Sequence, residues 1–292
     1  MRAAALRRGA RSMGVFLEMV KVSHSIFALP FAVSALFLAS GGFPSLPVLG
    51  KVVLAVVFAR TAALAFNRWA DADIDALNPR TRSRAIPAAL LSRPQVGIAA
   101  LLSGAVFVLT AAWINRLAFA LSPVVLVVLL GYSYTKRFTR LSHLVLGLAL
   151  GLSPLGAWVA ARGEVALLPA VLGAAVLFWT AGFDIIYACQ DVDFDRKEGL
   201  RSIPERWGVA RALAAARILH AFTVALLIGV GYLGGLDWVY GAGVAVVALL
   251  LIYEHSLVRP EDLSRVNQAF FTVNGIVSLA YMAAVIGQTL LA

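Results

Sequence analysis

The chain has 292 residues, of which 61% are hydrophobic and only 14% charged, where a soluble domain carries about 25% charged residues. Mean hydropathy of +0.87 over the whole length points to lipid as the solvent. The single cysteine, Cys189, excludes a disulfide scaffold, and the aliphatic content excludes disorder. A net charge of +10 with no basic stripe on a water-soluble face argues against a nucleic-acid binder. The composition is that of a polytopic, all-α membrane protein.

A helix needs roughly 20 apolar residues to cross about 30 Å of hydrocarbon. Nine runs qualify: Ser25–Ser40, Pro47–Ala70, Gln95–Ile114, Phe119–Tyr134, His143–Ala161, Ala166–Ala188, Arg211–Leu233, Trp238–Ser256 and Val266–Leu291. The basic start of the chain leads into an apolar run without a small-residue cleavage pattern. That run is therefore read as the first helix and not as a removable signal peptide. Arg80, Arg82, Arg84, Arg93, Lys136, Arg137, Arg140, Arg196, Lys197, Arg201 and Arg206 fall in loops on one side, with the N-terminal arginines, Arg259 and Arg265. The opposite loops hold little beyond Lys51, Arg116 and Arg162. The positive-inside rule places the first set, and the N-terminus, in the cytoplasm. No linker or low-complexity segment divides the chain, so residues 1–292 are expected to form one membrane domain.

Only 15 acidic residues occur, and six aspartates fall in two clusters. The first reads Asn67-Arg68-Trp69-Ala70-Asp71-Ala72-Asp73-Ile74-Asp75; the second reads Tyr187-Ala188-Cys189-Gln190-Asp191-Val192-Asp193-Phe194-Asp195. Each ends a span on the cytoplasmic side, and each is followed by a matching segment, Arg84-Ala85-Ile86-Pro87 and Arg201-Ser202-Ile203-Pro204. This pattern predicts an internal duplication over residues about 20–140 and 141–260, with a last helix at 266–291. Residues four apart share a helix face, which aligns Asp71 with Asp75 and Asp191 with Asp195. Asn67 joins the first stripe; Tyr187, and Asp184 deeper, join the second. Asp73 and Asp193 point elsewhere, toward loop arginines or water.

Oxygen donors of this kind suit a hard cation. Mg²⁺ takes one or two carboxylates and completes its shell with water and phosphate oxygens. Arg82, Arg84, Lys136, Lys197 and Arg201 stand near enough in sequence to take the remaining charge of a polyphosphate. The plain alternative is a solvated, arginine-paired helix end; two matched clusters at equivalent places weigh against it. A cation-coupled transporter is the alternative of another class, but transporters place their sites near the midplane, where only Arg60 and Asp184 are candidates. Arg60 lies two turns before Arg68 and either shares its cavity or forms a structural ion pair. His24, His143, His220 and His255 show no metal-ligand spacing and receive no role, and Cys189 reads as packing. No glycine-rich nucleotide loop is present, so ATP or NAD is not expected.

At these motifs the chain resembles the UbiA superfamily of intramembrane prenyltransferases. The likeness extends over Arg80–Pro87, Tyr132–Arg137 and Lys197–Pro204, and thus over nearly the whole length. The segments Val22–Pro30 and Ser202–Gly208 look most like the bacterial 4-hydroxybenzoate polyprenyltransferase branch, some of whose members serve menaquinone synthesis. The resemblance implies a nine-helix bundle in the bacterial inner membrane, with the active site on the cytoplasmic side. It implies transfer of a polyprenyl group from its diphosphate to the ring of an aromatic hydroxy acid. The acceptor would be 4-hydroxybenzoate or, alternatively, 1,4-dihydroxy-6-naphthoate. Mg²⁺ would be held by Asp71, Asp75, Asp191 and Asp195, of which Asp71 and Asp191 are the candidate catalytic pair. Asn67, Lys21, Arg82, Tyr132, Lys136 and Lys197 would bind the diphosphate. Arg137, Tyr187 and Asp184 would bind the acceptor, although Arg137 could equally be a positive-inside anchor and the tyrosines interfacial residues. Membrane lipid is the surrounding partner, no nucleic acid is expected, and oligomeric state is open.

Overall fold

A computed structural model of the protein describes residues 14–20 and 27–291. Lys21, His24 and the start of the first expected span lie outside the described residues. The helices in chain order are α1 (Leu29–Ser40), α2 (Leu46–Ala70), α3 (Ala72–Leu77), α4 (Arg93–Ile114), α5 (Arg116–Thr135), α6 (Ser142–Arg162) and α7 (Leu167–Ala188). They continue with α8 (Val192–Lys197), α9 (Ile203–Trp207), α10 (Val209–Gly234), α11 (Trp238–Ser256) and α12 (Asn274–Leu291). No strand forms among the described residues, consistent with the rule that a spanning backbone must satisfy its own hydrogen bonds.

Among the described residues, eight helices are long and apolar enough to cross a membrane, counting α7 through to Lys197 and α12 from Gln268. The described part of the ninth apolar run forms the 12 residues of α1, about 18 Å at 1.5 Å per residue. Pro30 sits in its first turn, and Gly41 ends it in the left-handed conformation (φ +61°), donating its N–H to the carbonyl of Phe37. Despite its length α1 is central: Ala32, Ala35 and Leu36 are fully buried. Phe31 packs on Trp179 of α7 at 5.0 Å and on Tyr281 of α12 at 5.2 Å between ring centroids. The reverse holds for α5, where Phe119 and Val127 point outward, as apolar side chains do when lipid is the solvent.

Helices α6 and α7 make the closest approach. Gly147 and Gly151 of α6 are four apart, and a Cβ on Gly147 would strike the carbonyl of Leu177 while one on Gly151 would strike that of Gly173. Small residues at this spacing let two helix backbones touch in a bilayer.

A π-helical turn, Gln268–Val273, precedes α12. Asn274, fully buried, stitches it in place. Its Nδ2 donates to the Ala269 carbonyl (3.0 Å) and to Glu254 Oε1 (2.7 Å), while its Oδ1 accepts from Trp179 Nε1 (2.7 Å). His220 joins this network through His255 (3.0 Å) and the Trp179 carbonyl (3.2 Å). The turn thereby presents Phe270 against Tyr187, with centroids 4.2 Å apart.

Candidate active site

Each aspartate motif marks a break in its helix. The sequence stripe assumes a continuous helix, but α2 ends at Ala70 and α7 at Ala188. Asp71 (φ −94°, ψ 5°) and Asp191 (φ −105°, ψ 7°) both take the bridge conformation between a long helix and a short one. The reason is local: three carboxylates in five residues repel one another, and the chain leaves the helical line where loop cations can reach them. The turn still survives at the first motif, since Asp75 N donates to Asp71 O at 2.8 Å. Asp71, Asp75, Asp191 and Asp195 therefore line one cavity, of about 1140 Å³.

The carboxylates are held chiefly by cations. Asp71, 2% exposed, accepts from Lys136 Nζ at 3.0 Å, Asn67 Nδ2 at 3.0 Å and Arg137 Nη2 at 3.3 Å. Asp75 is gripped by Arg84 Nη1 at 2.7 and 2.8 Å. Asp191 accepts from Asn78 Nδ2 at 3.2 Å, from Arg80 Nε at 3.0 Å and from Arg80 Nη2. Arg80 also donates to the Tyr187 hydroxyl at 2.9 Å, and its guanidinium lies 5.1 Å from that ring's centroid. Burial works against the charge of Arg80, but the hydrogen bond and charge of Asp191 outweigh it and hold its pKa above the ordinary arginine value. Asp195 accepts from Ser202 Oγ at 2.9 Å, the hydroxyl that also caps α9.

Asp73 and Asp193 stand apart, on Arg93 at 3.0 Å and on Arg196 at 3.9 Å. Below the mouth, Arg60, Arg68, Tyr132, Tyr187, His143 and Asp184 line the cavity. Its walls then turn apolar (Val124, Val128, Leu152, Leu155) and reach Val165 and Val52, at the opposite end of the bundle. Among the described residues no three His, Cys, Asp or Glu side chains converge closely enough to hold a metal by themselves.

Three of the expected ligand residues lie off the cavity wall. Arg82, on a loop, and Lys197, at the end of α8, are exposed. Arg137 is turned onto the helix end instead, donating to the Ala70 carbonyl at 2.7 Å and stacking on Tyr134 at 4.9 Å. Arg80, Asn78, Ser202 and His143 are site residues that motif reading passes over. Asn78-Pro79-Arg80 did carry a signal, because Asn-Pro initiates a turn. Asn78 Oδ1 accepts from Arg80 N at 2.9 Å, and that turn sends the arginine back over the second motif.

Because Asp75 is 4% exposed, Arg84→Ala leaves a buried carboxylate without its cation. We expect a loss of about 1–3 kcal/mol, read as a lower midpoint of thermal unfolding in detergent. Arg93→Ala, which releases exposed Asp73 and a guanidinium lying 5.3 Å from the Trp69 ring centroid, should lower that midpoint by less.

Fold and site together define a membrane-embedded helical bundle whose cavity opens at two cation-bound aspartate pairs. The chain belongs to the UbiA prenyltransferase family, which matches residues 28–276. The chain is 33% identical to the 4-hydroxybenzoate octaprenyltransferase of Paraburkholderia phytofirmans, with 85% of this chain and 87% of that protein covered. It is 34% identical to the protein of the same name from Aromatoleum aromaticum, with 86% and 85% covered. The structure of a UbiA homolog from Aeropyrum pernix K1 superposes with a TM-score of 0.84 at 38% identity, covering 92% of this chain and 99% of that one. A UbiA homolog from Archaeoglobus fulgidus, bound to DMAPP and Mg²⁺, shares the fold with a TM-score of 0.70 at 24% identity, over 93% and 99%.

Proposed function

We propose that the protein transfers a polyprenyl group from its diphosphate to the ring of 4-hydroxybenzoate, as the names of its curated relatives indicate. The observation that carries this reading is the joining of two aspartate pairs to one apolar cavity running the length of the bundle. Polar chemistry at one end and a long dry channel behind it suit an amphiphilic donor with an anionic head.

Asp71, Asp75, Asp191 and Asp195 offer the hard oxygen donors that Mg²⁺ prefers. Because no protein cluster is complete alone, phosphate oxygens and water would fill the remaining positions. Bound there, the metal would draw charge off the departing diphosphate. The residues of the chain do the rest. Arg80, Arg84 and Lys136, now on the carboxylates, would turn to the phosphate oxygens. Asn67 would keep Asp71 in orientation. As the allylic C–O bond breaks, the rings of Tyr187 and Phe270 flank the forming cation, and the apolar walls exclude the water that would quench it. Arg60 and Arg68 line the cavity itself, and we assign the acceptor carboxylate to them rather than to Arg137, which is engaged on Ala70. The arginine-rich loops support a cytoplasmic mouth by the positive-inside rule.

The test is direct. Purified protein is incubated with Mg²⁺, a set of polyprenyl diphosphates, and 4-hydroxybenzoate or 1,4-dihydroxy-6-naphthoate, and products are read by mass spectrometry. Prenylated 4-hydroxybenzoate that disappears with EDTA is the expected result. Product from the naphthoate alone would move the acceptor, and cation flux in liposomes without any covalent product would replace the reading with a transporter.

A further inference from the structure

Prenylation of a ring carbon leaves a proton to be removed, and the cavity holds one carboxylate suited to it. Six acids line the cavity. Asp71, Asp75 and Asp191 carry cations, Asp195 is bonded to Ser202, and Glu18 is exposed. Asp184 is different. It lies seven residues before Asp191 on α7, about 10 Å deeper along the helix, below the point where a diphosphate would sit.

One oxygen of Asp184 is fixed and the other is free. Oδ2 lies 2.7 Å from His143 Nδ1, and the His143 ring is almost fully buried. The tautomer follows from the opposite nitrogen: Nε2 accepts the backbone N–H of Ile203 at 3.4 Å, so the neutral ring carries its proton on Nδ1 and donates it to Asp184. The imidazole thus orients the carboxylate without neutralising it. Oδ1 makes no hydrogen bond among the described residues, and the side chain keeps 17% of its surface open where it lines the cavity.

We infer that Asp184, oriented by His143, is the base that accepts the ring proton of the acceptor. The inference rests on the transferase reading above. The allylic carbon leaves the diphosphate oxygen with the C–O electron pair staying on oxygen, and the ring carbon ortho to the hydroxyl forms the new C–C bond. The C–H pair at that carbon then returns to the ring as the proton passes to Asp184 Oδ1. Asp184 is the catalytic residue here, and His143 is a positioning residue.

The experiment compares 4-hydroxybenzoate with its form deuterated at both positions ortho to the hydroxyl, using saturating donor, Mg²⁺ and purified full-length protein. Asp184→Asn keeps an acceptor for His143 but removes the base. Its kcat should fall on the order of 10²-fold, and a ring-deuterium isotope effect absent from the unmutated protein should appear. Donor KM should hold, which shows that the variant is folded. His143→Gln, which can still donate to Asp184, should retain more of the rate than His143→Leu, which should slow further and acquire the isotope effect. An Asp184→Asn protein with full kcat, or a slowed one with no isotope effect, overturns the assignment. Equal rates for His143→Gln and His143→Leu overturn the positioning role. No prenylated acid from the unmutated protein removes the transferase reading and this base together.

Discussion

Asp191→Asn should lower kcat on the order of 10³-fold, while Asp193→Asn, two residues on, should leave it within a factor of about 2. The contrast comes from geometry. Asp191 lines the cavity and accepts donors from Asn78 and from two nitrogens of Arg80. An amide at this position loses the charge that would hold a metal, and its NH₂ faces donors where it needs acceptors. Asp193 is fully exposed and, among the described residues, pairs with Arg196 at 3.9 Å. Surface pairs of this kind contribute close to nothing. Rates of product formation from the two variants, each checked for intact size-exclusion behaviour, decide the matter. If Asp193→Asn falls as far as Asp191→Asn, general acidity of the segment matters and the assigned face does not.

The second large effect should be on stability. Gly147→Val places a branched side chain where even a Cβ would meet the Leu177 backbone carbonyl. Backbone cannot swing away as a flexible side chain does, so the helices must separate. Overpacking of this kind costs about 1–3 kcal/mol and sometimes more, and we expect a lower unfolding midpoint and poor yield. Gly156→Ala, on the same helix with open space around it, should be neutral or slightly stabilising, since alanine outranks glycine in a helix by roughly 0.5–1 kcal/mol. A tolerated Gly147→Val would mean that the contact between α6 and α7 is loose. The site would share the damage: His143 sits one turn from Gly147 on α6, and its partner Asp184 is on α7.

Much of this was readable from the chain because membrane solvent simplifies the code. Long apolar runs mark spans, and acids are so rare that two matched clusters stand out. Within the first motif, Asn67, Asp71 and Asp75 could be grouped by spacing, because the i to i+4 hydrogen bonds persist through the helix break. What spacing does not carry is contact between distant segments. Arg80 reaches Asp191 across 111 positions and His143 reaches Asp184 across 41. A lone histidine with no partner nearby in sequence gives no sign of the aspartate it will meet. The same gap explains Arg137. Just past the end of α5, Lys136 lines the cavity while Arg137 donates to the Ala70 carbonyl and to Asp71. The end of the first span was legible too: the expected run closes at Ser40, where Gly41 ends the helix in the left-handed conformation.

The cations lying on Asp71, Asp75 and Asp191 make the mouth of the cavity a closed electrical circuit before any ligand arrives. Admitting a divalent ion alone would strand four cationic side chains beside it, and admitting a diphosphate alone would crowd anions against the carboxylates. Admitting both lets every charge change partner at once. On the proposed function, donor and metal would be thermodynamically linked, each raising the other's affinity by the same factor. Free magnesium would then set how tightly the donor is held as well as how fast it reacts.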